Sequence, residues 1–235
     1  MNTMLALPLV ALILGADKVT SNDCCSADQY SAGFAQTYVQ ISNSGGESVR
    51  ARMKGDAEMD FTGRRYALNF TYHEYNEKTS GTVRYIFLYK EEVMYTIFND
   101  LECVKQSDLG QEPAQCLPDD AELDDSLYVG KNSLQLNNWK MSIDGPDGFQ
   151  GDVRLATTQE DCIPVASSLI ATAKTGPGEY ENFVIDEISF NYTSGLGPSP
   201  FIVPDICKNA TQKIKDERVS MFNKWNLLRK GMIFF

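Results

Sequence analysis

Histidine is almost missing: His73 is the single one in 235 residues. A zinc site of the HExxH kind needs two imidazoles one helical turn apart, and a Ser-His-Asp triad needs its histidine beside an activated serine. No second histidine and no Gly-x-Ser-x-Gly elbow exist to serve either. Basic residues are also in short supply, 21 Lys and Arg against 32 Asp and Glu, for a net charge of −11. Nucleic-acid binding requires a basic footprint that displaces counterions, so that class is excluded as a partner. Beyond the leader no apolar run approaches 18 residues, the length of a membrane-spanning helix. With no assembled set of catalytic groups, the chain reads as a non-enzyme with no catalytic residues and no cofactor.

What is present begins with six cysteines: Cys24, Cys25, Cys103, Cys116, Cys162 and Cys207. They follow an apolar stretch, Met4 to Leu14, whose length suits a secretory leader over residues 1–21, cut after Ala16 or Ser21. An even cysteine count behind such a leader predicts a disulfide framework in an oxidising compartment, with no thiolate left over. The expected location is secreted and extracellular, the lysosomal lumen being the other compartment that fits. The mature chain is expected to hold one β domain over 22–207 and a basic tail over 208–235.

Strand signals dominate that domain. Tyr66, Leu68, Phe70 and Tyr72 alternate with Ala67, Asn69, Thr71 and His73, the period of a strand with one buried face. Val83 to Tyr89 turns through Lys90-Glu91-Glu92 into Val93 to Phe98, a hairpin apolar on both faces, which predicts that both its sides are covered, by a partner subunit or a ligand chamber. Further strands are predicted over 133–141, 151–157, 167–174 and 182–192, and in the last of these Val184, Asp186, Ile188, Phe190 and Tyr192 share a face. This spacing suggests an all-β sandwich or a partly open barrel. Residues 106–126 lack periodicity and read as a loop pinned by Cys116.

Three glycosylation sequons start at Asn69, Asn191 and Asn209. Asn69 and Asn191 lie on the polar phase of their strands, as a glycan requires. The acidic cluster Asp119, Asp120, Glu122, Asp124 and Asp125 supplies hard oxygen ligands for calcium, although it lacks the spacing of an EF-hand loop. In the tail, Ile214, Met221, Trp225, Leu228 and Met232 form one helical stripe flanked by basic residues. Seven basic residues against two acidic ones leave the tail at +5 and everything before it at −16. Such a helix suits either an anionic membrane surface or the acidic body of its own chain.

Taken in order, Cys24 to Tyr30, Tyr85 to Lys90 with Val93-Met94, Cys103, Trp139, Asp161-Cys162-Ile163-Pro164-Val165 and Gly197 to Cys207 resemble the ependymin-related proteins. The resemblance runs from about Cys24 to Cys207. It implies a mostly β fold of two curved antiparallel sheets, a half-open barrel or sandwich around a hydrophobic pocket, similar to bacterial lipoprotein carriers; the basic tail adds a C-terminal helix. It further implies a homodimer that binds a lipid or other hydrophobic small molecule, with Tyr85, Phe87, Tyr89, Tyr95, Ile97 and Trp139 as pocket candidates. The other function it implies is a calcium-binding glycoprotein of the extracellular matrix or of cell adhesion, with no physiological ligand in the pocket. By the same resemblance Cys25, or else Cys24, pairs with Cys162 and Cys103 with Cys207, and the other member of the doublet, Cys24 in the first case, falls to Cys116. The chain departs from vertebrate members in carrying Cys116.

Overall fold

The computed structural model describes residues 24–210, apart from 43–47, 108, 110–111, 132, 145–148, 177–178, 198 and 209. The leader and nearly all of the basic tail, including the expected C-terminal helix, lie outside the described residues. Eleven strands are present: β1 (Gln29–Ser42), β2 (Val49–Asp60), β3 (Arg65–Glu74), β4 (Thr79–Leu88), β5 (Val93–Phe98), β6 (Glu102–Gln106), β7 (Glu122–Val129), β8 (Leu134–Asp144), β9 (Gln150–Thr158), β10 (Pro164–Gly176) and β11 (Glu179–Ser194). They form one antiparallel sheet in the order β6-β5-β4-β3-β2-β1-β11-β10-β9-β8-β7. Two meanders, β1 to β6 and β7 to β11, are therefore sewn together along β1 and β11, where pairing runs continuously from Gly33 and Phe190 to Ser42 and Glu181. This corrects the expectation of two sheets: the ladder does not break between the halves. The sheet is also not closed, since β6 and β7 end it.

One face of this sheet forms the core. Phe34 and Tyr38 on β1, Phe70 on β3, Tyr85 and Phe87 on β4, Trp139 on β8, Leu155 on β9 and Phe183 on β11 belong to a single buried cluster. No α-helix among the described residues covers that face, so the sheet buries it by curling over on itself. Gly55 on β2 admits a close approach of β3, since a Cβ there would stand 2.5 Å from the Phe70 Cα. The rings of Phe34 and Phe70, Phe70 and Tyr85, and Tyr85 and Phe87 follow one another at 6.0, 5.9 and 5.8 Å, an aromatic chain across β1, β3 and β4.

The opposite face of β4 and β5 is covered as well, as the two-sided hairpin requires, but by the chain's own C-terminal segment. Ile86 and Ile97 pack with Val203, Cys103 and Cys207. The Arg84 guanidinium donates to the Pro200 carbonyl at 2.9 Å, and Arg65 lies 4.5 Å over the Phe201 ring. A short 3-10 turn, Asp205–Cys207, then places Cys207 for its bond to Cys103.

Two other expectations are corrected. On β11 the buried residues are Phe183 and Ile185, whereas Ile188 is 58% exposed; the apolar set from Val184 to Phe190 looks outward. Asn191, at φ +54, then reverses the phase and brings Tyr192 back to stack on Tyr30 at 5.0 Å. Residues 106–126 are not all loop: β6 runs to Gln106 and β7 begins at Glu122. An edge strand solvated on both faces needs no apolar alternation, which is why β7 left no period-two signal. Its Glu122 and Asp124 meet Lys140 and Arg154, both at 3.1 Å.

Of the two pairings open to the cysteine doublet, the structure has the second, not the Cys25–Cys162 and Cys24–Cys116 set. Cys24 joins Cys162, and Cys25 joins Cys116. Neighbours in extended chain point to opposite sides. Cys24, 2% exposed, faces the core, with Thr157 Oγ1 3.8 Å from its sulfur, while Cys25 sits in a short antiparallel bridge against Cys116. Backbone hydrogen bonds from Ser26 to Gln115 (2.9 Å) and from Leu117 to Cys24 (3.0 Å) hold that bridge.

Candidate ligand-binding cleft

The seam between β1 and β11 carries a cleft on the core face. Its β1 wall is Tyr30, Ala32, Gly33, Phe34 and Gln36; Ala57, Met59 and Leu68 from β2 and β3 continue it, and Pro164, Glu187 and Ser189 close it from β10 and β11. A bulge-like shift in the register of β1 with β11 falls between Ser31 and Gly33, beside the cleft. The cavity is about 30 Å³, and about 480 Å³ with its solvent-open mouth counted.

The wall is mostly apolar, and its polar groups are the Tyr30 and Ser189 hydroxyls and the pair Gln36 and Glu187. The Gln36 side-chain amide donates to the Glu187 carboxylate at 2.9 Å. Gln36 is 3% exposed, and its amide oxygen is buried without a hydrogen-bond partner. Burial pushes the Glu187 carboxyl up to about 7, and the single amide donor opposes this only in part. Burial, then the nearby Tyr192 and Glu187, raises the Tyr30 phenol well above its ordinary value, so it is a neutral wall residue.

None of the six pocket candidates lines this cleft. Tyr85 and Phe87 are core, Tyr89 packs against the same cluster, and Trp139 is buried with its indole N–H donating to Thr157 Oγ1 at 3.0 Å. Tyr95 and Ile97 lie on the other face, under the C-terminal segment. Of the acidic cluster, Asp119 and Asp120 sit in a turn and Glu122, Asp124 and Asp125 on β7. Among the described residues no three His, Cys, Asp or Glu side chains converge as metal ligands. Asn69 and Asn191 are exposed, and Asn209 lies outside the described residues. His73 is exposed too, edge-on to Tyr75 at 4.9 Å.

Sequence reasoning missed Glu187 and Gln36. A signal existed: Glu187 falls in phase with the buried Phe183 and Ile185, and Gln36 sits between Phe34 and Tyr38, polar residues where a core face calls for apolar ones. The inverted reading of β11 hid it.

The family model described as Ependymin matches residues 77–207, more than half the chain. The chain belongs to the ependymin family. The matched stretch runs from just before β4 to Cys207, and so takes in both ends of the Cys103–Cys207 bond. Beyond it, ependymin-related protein 1 of Haliotis asinina is 25% identical over 201 residues, which is 83% of this chain and 95% of that one. Ependymin-related protein 2 of the same organism is 28% identical over 174 residues, 72% and 82% of the two chains. A LolA superfamily protein from Nitrosomonas europaea aligns at 10% identity with a TM-score of 0.31, over 79% of this ependymin and 94% of its own length, a likeness too loose to transfer any property.

Proposed function

We propose that this protein is a non-catalytic, secreted glycoprotein that binds a lipid or another hydrophobic molecule in the cleft at the seam. The observation that carries this reading is the cleft itself: an opening in a one-faced aromatic core, walled by Tyr30, Phe34, Met59 and Leu68. Apolar concavities with one or two placed polar groups are the usual form of small-molecule sites. Three disulfides and a leader-like start support the extracellular setting.

Mass spectrometry of organic extracts from the purified secreted protein tests the reading. The expected result is a lipid or other apolar compound in stoichiometric amount, depleted in Ala57→Trp, which fills the cleft. A clean extract from a protein that instead binds matrix in a calcium-dependent way overturns it.

A further inference from the structure

The polar pair in the cleft specifies more than an apolar occupant. Glu187 and Gln36 are direct neighbours across the β1–β11 seam, and both line the cavity. Their only mutual hydrogen bond uses the Gln36 N–H, so what they offer to the cleft is acceptor capacity: the second carboxylate oxygen and the orphaned amide oxygen. Among the described residues no lysine or arginine makes an ion pair with Glu187. A buried acceptor without a donor and a desolvated acid without a cation each cost stability unless a donor from outside the chain meets them. The neighbouring carboxylate on this sheet shows that the chain can satisfy such a group: buried Asp60 takes hydrogen bonds from Gln29, the Gly63 N–H and Arg65.

We infer that the Glu187–Gln36 pair is a head-group subsite for amphiphiles bearing a hydrogen-bond-donating cation, an alkylammonium group above all, whose apolar body lies along Phe34, Met59 and Leu68. The lining agrees with this division: Glu187 and Gln36 stand on the β1–β11 side of the cleft and Met59 and Leu68 on the β2–β3 side. The charge raised toward neutrality by burial is the one an ammonium would stabilise. An anionic head, such as a fatty acid carboxylate, would meet like charge and two acceptors, and is selected against.

This subsite rests on the reading of the cleft as a site for apolar ligands, and two probes keep the failures apart. Decylamine and 1-decanol, both below their micellar concentrations, are titrated calorimetrically into the full-length secreted protein. Decylamine is expected to bind at least 10-fold tighter than decanol, and Glu187→Gln to bring the two within about 2-fold. Gln36→Leu, which removes the orphan acceptor, is expected to weaken decylamine at least 3-fold, and by more than it weakens decanol. Circular dichroism confirms that each variant is folded. Equal affinities for the two probes overturn the subsite and leave the ligand reading standing. So does an amine preference that survives Glu187→Gln, since that marks attraction to the acidic surface. Binding of neither probe overturns both.

Discussion

Two carboxylates on one sheet, Asp60 buried and Glu187 half-buried, show how neighbours decide the sign of a stability effect. Asp60, 1% exposed, is opposed by its burial, but the donors Gln29, Gly63 N–H and Arg65, with Arg65's charge, outweigh that and hold its carboxyl below the usual range. Glu187 has one neutral donor and loses the same contest, ending at about 7. A lowered folded-state value means stability present above the unfolded value of 3.8 and lost as pH falls through the folded one. A raised value means the reverse: the folded protein holds a proton that the unfolded chain has released, so stability declines as pH rises from 4.5 to about 7 and is level beyond. Denaturant titrations from pH 4.5 to 8 are therefore expected to show Glu187→Gln gaining on the wild type through that window, reaching about 2–3 kcal/mol at pH 8. A gain that is the same at pH 4.5 would refute this. Asp60→Asn is expected to cost about 1–3 kcal/mol at pH 7, the worth of charged hydrogen bonds, and progressively less as pH falls below 3.8 and through the folded-state value.

Among the elements, the C-terminal segment carries the sharpest expectation. It roofs Ile86 and Ile97 and is tied at its end by Cys103–Cys207, a link across 104 residues. Replacing both cysteines with alanine is expected to lower stability by about 2–5 kcal/mol on the chain-entropy account. It should also expose the roofed face to an environment-sensitive dye before the main core melts; simultaneous loss of both signals would show that the segment is not a separable cover. The same element explains what was legible in the sequence. The β3 alternation and the β4–β5 hairpin stood out because Tyr66, Leu68, Phe70, Ile86 and Phe87 are large and buried. β1 and β2 did not, because their buried phase is diluted by Ala32, Gln36 and Gln40 and by Ala51, Gly55 and Ala57. The cleft was illegible for a related reason: it lies where two strands far apart in sequence meet, and no local period reports such a meeting. The doublet's partners depended on which neighbour faced inward, a fact of β1's approach that spacing alone does not contain.

For the molecule as a whole, the single sheet predicts a gradient of protection. The seam of β1 with β11 is central in the strand order, and β6 and β7 are its rims. Hydrogen exchange is expected to be slowest at Tyr38 and Ile185 in the middle and fastest along β7, which has one neighbour, exposed carboxylates on Glu122 and Asp125, and no covering segment among the described residues. Uniform protection across the sheet would contradict that order.

The seam also sets a timetable. β1 is made first and can pair with β2 within a few dozen residues, but its other edge must wait until β11 has been synthesised, some 150 residues later by the register of Gln36 with Glu187. Through that interval Tyr38, Val39 and Ile41 stand on an unpaired edge, in a chain whose Cys24 has no Cys162 to meet. At a synthesis rate of about 5–20 residues per second this lasts on the order of ten seconds or more. The half-made protein is thus the form most exposed to wrong pairing, and its yield in a cell answers to the helpers that guard an open strand edge and shuffle disulfides as much as to the stability of the finished sheet.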